Sequence, residues 1–293
     1  MLDAAADNDR VNRHKTEKKK KSTTMIIEIQ DDFDLKKIVN SGQCFRARQI
    51  NNKCYFFVTG EDTLVIQDEG QGRYEVSCNS QKWDKIWAVY FDLYRDYKAM
   101  RSRNYKKNAF IDEAICYAQG IRVLRQDPWE TLVSFIISQR KSIPAIRKSV
   151  EMLCSGFGHV ISSQLVKCFS FPTADEMSGI TDAELKACGL GYRAGYVADA
   201  VRKVSSRQVR LDALSSMTDQ EMLAALQTID GVGKKVANCV ALFAYGRTSC
   251  VPIDVWIAKA INEECCGNNP FNLYQDDAGI IQQYVFYYEK HRQ

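Results

Sequence analysis

Ile229-Asp230-Gly231-Val232-Gly233-Lys234-Lys235-Val236-Ala237-Asn238-Cys239 is the stretch that decides the fold of this chain's second half. A helical pattern from Met222 to Leu226 stops just before it, two glycines flank one valine, and a second helical pattern begins. Gly-x-Gly lets the backbone turn tightly and approach a ligand closely. The amides that open the second helix carry partial positive charge, which suits a phosphate. Gly231, Val232, Gly233 and Lys234 are therefore candidate phosphate-contacting residues. Taken alone, the same pattern also describes an ordinary helix–helix turn.

The second helix can be phased at about 100° per residue. Val232, Val236, Val240 and Phe243 then share the core stripe. Lys234 points away from it, whereas Lys235 lies at its border, on the side of Cys239 one turn later. At that border Lys235 is either a snorkelling lysine or an amine that desolvation and the Lys234 charge keep neutral and nucleophilic. Nineteen residues on, Val251-Pro252-Ile253-Asp254 precedes an apolar run. Asp254 reads as an N-cap, and it is either purely structural or a carboxylate that moves protons near the lysine.

Working outward, the texture divides in two. Residues 1–24 are polar with a charge run, Lys15-Thr16-Glu17-Lys18-Lys19-Lys20-Lys21, expected to be a disordered basic tail or a nonspecific DNA-tethering arm. From 25 to 112 an antiparallel β-sheet domain is expected. Its strands are Met25–Ile29, Cys54–Val58, Thr63–Ile66 and Tyr74–Val76, with a helical turn over Asp34–Val39. From 113 to 293 the period lengthens to that of helices. Asp127-Pro128 is an N-cap followed by proline. Thr173…Glu176, Thr181…Glu184 and Thr218…Glu221 are capping-box patterns. The expected class is α+β: a small N-terminal sheet followed by an all-helical domain containing a helix-hairpin-helix.

Composition narrows the chemistry. The chain has 293 residues and a net charge of +4, weakly basic and compatible with a nucleic-acid partner. Its 11 cysteines are irregularly spaced, with no C-x-x-C pair, and only 3 histidines accompany them. Reduced intracellular thiols are expected, with no metal site, no zinc and no iron–sulfur cluster. The one candidate for an ion is a structural cation at the hairpin carbonyls. No stretch reaches the roughly 18 apolar residues of a membrane span, and no apolar signal opens the chain. A monomer without membrane association is expected.

Gly231 to Cys239 with Val251 to Asp254 closely resembles the helix-hairpin-helix glycosylase superfamily, and other motifs resemble its eukaryotic-type 8-oxoguanine DNA glycosylases. These are Ser41-Gly42-Gln43-Cys44-Phe45-Arg46, Asp127-Pro128-Trp129-Glu130, Gly189-Leu190-Gly191-Tyr192-Arg193-Ala194, and Ala278-Gly279 with Gln282 and Phe286. The resemblance covers about residues 25–290. It implies a base-excision enzyme, both glycosylase and lyase, whose partner is double-stranded DNA containing 8-oxoguanine. It implies that Lys235 attacks C1′ and forms a Schiff base, and that Asp254 stabilises charge and moves protons. It also implies that Cys239 and Phe286 sandwich the flipped base while Gln282 reads its pairing edge. The Gly42 carbonyl would accept the N7–H that guanine lacks, and Tyr192 and Arg193 would contact the gap and the orphaned cytosine.

Departures from the pattern fall in two places. Arg140 stands where these enzymes carry an asparagine, and Ala145 where they carry the arginine that reads cytosine. Relaxed opposite-base stringency is therefore expected. Trp256 replaces a histidine that usually follows the aspartate, on the phosphate side of the pocket. Two other readings stay open on the residues alone. An alkylbase glycosylase shares the architecture without a lysine nucleophile, and a noncatalytic DNA-binding module needs neither Lys235 nor Asp254.

Overall fold

The computed structural model describes residues 24–161 and 166–292; the expected tail, apart from Thr24, lies outside them. Five strands form one antiparallel sheet in the order β1-β5-β4-β3-β2. They are β1 (Met25–Glu28), β2 (Arg48–Gln49), β3 (Cys54–Thr59), β4 (Asp62–Gly70) and β5 (Arg73–Val76). The β3–β4 register pairs Phe57 with Leu64 and Tyr55 with Ile66. Period-2 alternation sends Phe57, Leu64, Ile66 and Val76 to one face. There α1 (Leu35–Asn40) and a helical run over 80–90 cover them, with Ile38, Trp87 and Phe91 completing that core. The run opens as α2 (Ser80–Lys82), widens to a π-turn (Trp83–Trp87) and closes as α3 (Ala88–Tyr90).

The other face of β3 explains why Cys54–Val58 is a continuous apolar run rather than an alternating one. Phe56 and Val58 pack on Ile161 and Cys168. These belong to β6 (Val160–Ile161) and β7 (Cys168–Phe169), a two-stranded hairpin. The second part of the chain is thus not wholly helical, as the sequence led one to expect. Two-residue strands are too short to leave a periodic signature.

Its helices are α4 (Tyr97–Asn104), α5 (Ala109–Tyr117), α6 (Pro128–Ile137), α7 (Ile143–Phe157), α8 (Asp182–Ala187), α9 (Arg193–Ser205) and α10 (Leu211–Leu214), followed by α11 (Asp219–Leu226), α12 (Lys234–Phe243), α13 (Val255–Glu264) and α14 (Ala278–His291). The division expected after residue 112 falls inside α5, whose Ile111 and Ile115 both belong to the large helical core. Asp127 caps α6 through the Glu130 amide at 2.8 Å, with Pro128 behind it. Thr181 and Thr218 form reciprocal capping boxes on α8 and α11. Thr173 and Glu176 bond in the same reciprocal way, yet only a 3-10 turn (Glu176–Gly179) follows. The next N-cap, Thr181, starts too soon for a longer helix.

Two long-range ties bring the parts together at the site. Gln283 of α14 donates to the Ser41 carbonyl at 2.7 Å, holding the segment after α1 against the C-terminal helix. Gln43 is buried with its amide satisfied: Nε2 donates to the Arg122 carbonyl at 2.8 Å, and Oε1 accepts from the Leu124 amide at 2.7 Å. Such filled polar contacts fix one geometry in a core where a loose polar group is costly.

Candidate active site

The hairpin between α11 and α12 has the conformation its glycines permit. Gly231 has φ +77°, the left-handed region, and a Cβ there would stand 2.3 Å from the Tyr196 ring. Its carbonyl accepts from Gln139 Nε2 at 3.0 Å. Gly233 is the extended N-cap of α12, with open space where its Cβ would be. Gly233 and Lys234 are exposed while Val232 is buried, which leaves the helix N-terminus facing outward. Beneath the hairpin, Lys203 Nζ donates to the Thr228 carbonyl at 2.6 Å and pairs with Asp199 at 2.7 Å. Asp199 in turn accepts from the Asp230 amide at 2.8 Å. Among the described residues, no group of three or more His, Cys, Asp or Glu side chains comes together as a metal site.

Lys235 emerges at the border of the core, as helix phasing requires. Its amine lies 5.0 Å from the centre of the Phe135 ring, makes a long contact of 3.5 Å to Ser138 Oγ, and also bonds to the Cys239 thiol. Asp254 caps α13, and its Oδ1 accepts from the Trp256 and Ile257 amides at 3.0 and 2.9 Å. The carboxylate is thereby aimed by the helix it caps. Both side chains open onto a narrow slot of about 50 Å³ that Cys239, Gln282 and Phe286 also line. Gly42, Phe135, Lys235, Asp254 and Phe286 are shared with an adjoining cavity of about 640 Å³.

Three features of the slot bear on what it can take. Burial pushes the Cys239 thiol up to about 11, with the Lys235 charge pulling the other way. Cys239 therefore presents a neutral, polarisable surface at neutral pH. Gln282 is 3% exposed, and its Oε1 has no hydrogen-bond partner, so an acceptor waits inside a closed wall. Gly42 has φ +77°, and a Cβ would lie 2.9 Å from Phe286 Cε1 and 3.1 Å from Ile143 Cδ1. Only glycine lets this backbone and the Phe286 ring face each other so closely.

The structure separates the candidates on the opposite side of the site. Tyr192 is 56% exposed at the start of α9. Arg193 is not an exposed reader: it is 8% exposed, and its guanidinium donates to three carbonyls. Nε and Nη2 reach Gln139 O, the former at 2.8 Å; Nη2 also reaches Arg140 O at 3.2 Å and Nη1 reaches Leu190 O at 3.4 Å. The Tyr192 ring lies over that guanidinium at 4.4 Å. Nε and Nη2 of Arg193 are held by the turn after α6, so the expected contact with the orphaned cytosine would fall to the one remaining N–H of Nη1. Arg140, in that turn, is exposed with φ +49°. Phe135, Ser138 and Lys290 also line the cavity, and the sequence reading did not single them out as site residues. Lys290 had a usable signal, because it follows Phe286 at the i+4 spacing of one helix face.

A family model for the N-terminal domain of 8-oxoguanine DNA glycosylase matches residues 25–132. A second, for HhH-GPD superfamily base excision DNA repair proteins, matches residues 133–269. The solved structure of MBOgg1 in complex with a low affinity DNA ligand is 36% identical, with a TM-score of 0.87 over 93% of this chain and 97% of that one. The chain belongs to the 8-oxoguanine DNA glycosylase family. Clostridium acetobutylicum 8-oxoguanine glycosylase/lyase, solved with dsDNA containing cytosine opposite 8-oxoG, is 30% identical, with a TM-score of 0.84 over 92% of this chain and 98% of that one. An N-glycosylase/DNA lyase of Saccharomyces cerevisiae is 37% identical over 153 residues. That match spans 48% of this chain and 41% of the yeast protein. Among the described residues no helix is long and apolar enough to cross a membrane.

Proposed function

We propose that this protein removes 8-oxoguanine from double-stranded DNA and then cleaves the strand as a lyase, with Lys235 as nucleophile. The observation that carries the proposal is a convergence in one connected space. The sparsely partnered amine of Lys235 and the carboxylate of Asp254 meet the unpartnered oxygen of Gln282, between Gly42 and Phe286. A noncatalytic DNA-binding module has no use for that arrangement.

In the first step the Lys235 amine bonds to C1′ while the C1′–N9 bond breaks. The base leaves with the bonding pair and takes up a proton, and Asp254 offsets the positive charge that develops on the sugar. The amine then loses protons as the sugar ring opens to a Schiff base. Removal of a C2′ proton expels the 3′ phosphate with its electron pair, and water releases Lys235. The slot has room for a few waters rather than a purine, so base entry requires the half-buried Phe286 ring to swing away from Cys239. Gln282 Oε1 would take a hydrogen from the pairing edge. The Gly42 carbonyl would take the N7–H of 8-oxoguanine and oppose the N7 lone pair of guanine, a difference of about 1–3 kcal/mol, or tenfold to hundredfold.

Borohydride trapping on an 8-oxoguanine:cytosine duplex tests the nucleophile. A covalent adduct is expected with the wild type and none with Lys235→Gln. A trappable, active Lys235→Gln protein would sink the assignment.

A further inference from the structure

Four cationic side chains line the larger cavity, Arg140, Lys141, Lys235 and Lys290, against one carboxylate, Asp254. Lys141 is occupied, its amine donating to Ser149 Oγ and to the Gly189 carbonyl. Asp254 already receives two backbone amides. Lys290 is in a different condition. Among the described residues no hydrogen bond or ion pair reaches its amine, which rests 5.7 Å from the centre of the Phe286 ring. Behind it stands Arg147 of α7. One arm of Arg147 donates to the Val39 carbonyl at 2.9 Å, and its Nε is buried without a partner. Burial first, and then the Arg147 charge, lower the affinity of the Lys290 amine for its proton, while Asp254 acts in the opposite sense. Lys290 thus feels the Arg147 charge with its own amine unpaired, and an anion arriving there would be stabilised by both cations.

Position 256 sharpens the point. A tryptophan, which carries no charge, occupies the place where the family pattern has histidine, and it lines the same cavity as Lys290. If the lesion base enters between Cys239 and Phe286, the phosphodiester of its nucleotide must cross the mouth of this cavity. We propose that Lys290, backed by Arg147, binds a non-bridging oxygen of a phosphodiester flanking the flipped nucleotide, supplying from α14 the positive charge that Trp256 cannot. To do so the Lys290 side chain turns from the Phe286 ring toward the mouth as Phe286 itself moves for the base. The contact therefore forms only with a flipped nucleotide. This assignment rests on the base-flipping function proposed above.

The test uses the uncleaving Lys235→Gln protein, alone and with Lys290→Met, which keeps the apolar stem over Phe286. Affinity for an 8-oxoguanine:cytosine duplex is measured across a salt series. One lost phosphate contact lowers the slope of log K against log salt by about 0.9, close to tenfold in affinity near 0.1 M salt. That loss is expected for Lys290→Met on the lesion duplex and not on undamaged DNA, with Lys290→Arg restoring the slope. A methylphosphonate at one flanking position should weaken the Lys235→Gln parent and leave the Lys290→Met variant unchanged. An unaltered slope, or equal loss on undamaged DNA, overturns the assignment. Lesion preference retained with an unaltered slope counts against Lys290 alone, whereas a parent protein with no lesion preference counts against the proposed function.

Discussion

The two hairpin glycines flank one valine and look equivalent in the sequence, but the structure makes them fail differently. At Gly231 the backbone is left-handed, costing roughly 1–2 kcal/mol for any L side chain. A Cβ would also sit 2.3 Å and 2.4 Å from Tyr196 ring atoms, so the ring must swing out or the hairpin must shift, roughly 1–3 kcal/mol more. Gly231→Ala should thus lose about 2–5 kcal/mol; at about 2–4 °C per kcal/mol for a domain of this size, Tm falls by roughly 4–20 °C. At Gly233 φ is −86° and nothing lies within 4 Å of the Cβ position. Replacing a glycine N-cap by alanine costs roughly 0.5–1.5 kcal/mol, and the stiffer unfolded chain returns about 0.4–1 kcal/mol. Gly233→Ala should therefore melt within about 2 °C of the wild type. Its methyl group, however, points into the space that a phosphate would need to reach the first amides of α12. Scanning calorimetry paired with duplex titration separates the two: Gly231→Ala loses stability first, Gly233→Ala loses DNA affinity at unchanged stability. Adding Tyr196→Ala should recover part of the Gly231→Ala loss, because the two positions touch. Equal melting of the two glycine variants, or full DNA affinity in Gly233→Ala, would refute the reasoning.

Arg193→Ala should unfold about 1–3 kcal/mol more easily, since it strands the part-buried Gln139 carbonyl; Arg140→Ala should leave denaturation midpoints unchanged and weaken duplex binding. Asp199→Asn should lose about 1.5–3 kcal/mol at pH 7 through its charged contacts to Lys203 and the Asp230 amide. Burial works to raise the Asp199 pKa, but the Lys203, Asp230 and Arg202 contacts outweigh it and hold the carboxyl below its usual range. A depressed folded-state pKa gives stability that is full above the unfolded value, near 3.9, and is lost as pH falls through the folded one. Denaturation curves of wild type and Asp199→Asn should thus converge as pH drops below about 4. Single-turnover excision on duplexes with C, A, G or T opposite 8-oxoguanine should show similar rates, and a strict cytosine requirement would exclude the relaxed checking expected from Arg140 and Ala145.

The sheet, the capped helices and the hairpin were legible because each rests on local rules. Short apolar runs between turn residues marked β3–β5, Asp127-Pro128 marked α6, and phasing singled out Lys235 over Lys234. What escaped depends on contacts far apart in the chain. The Arg193 guanidinium turns inward because the turn after α6 offers carbonyls 53 and 54 residues away. Lys203, one helical turn after Asp199, became a strut because the Thr228 carbonyl reaches it from 25 residues on. No window of sequence contains either encounter. A solvent-facing arginine and one folded against backbone are identical in a single sequence, so a motif match fixes position but not the direction of the side chain.

That distinction bears on how the opposite strand is checked. Gln139 ties the turn after α6 to the hairpin through the Gly231 carbonyl, and Arg193 clamps the same turn from α9. Three segments are thereby locked into one platform that carries two exposed side chains: Tyr192, its ring over the Arg193 guanidinium, and Arg140, whose backbone is left-handed. A non-glycine residue in that conformation costs roughly 1–3 kcal/mol, a cost sustained here by the clamp on its own carbonyl. A tyrosine can fill the gap left by any flipped base, because stacking is indifferent to sequence. A guanidinium on a long flexible stem finds acceptors on every base edge, unlike two short fixed groups that meet one edge only. On the proposed function, the rigid part of the platform would serve the lesion strand and the hairpin, and the part left to meet the partner base would be the part least able to discriminate.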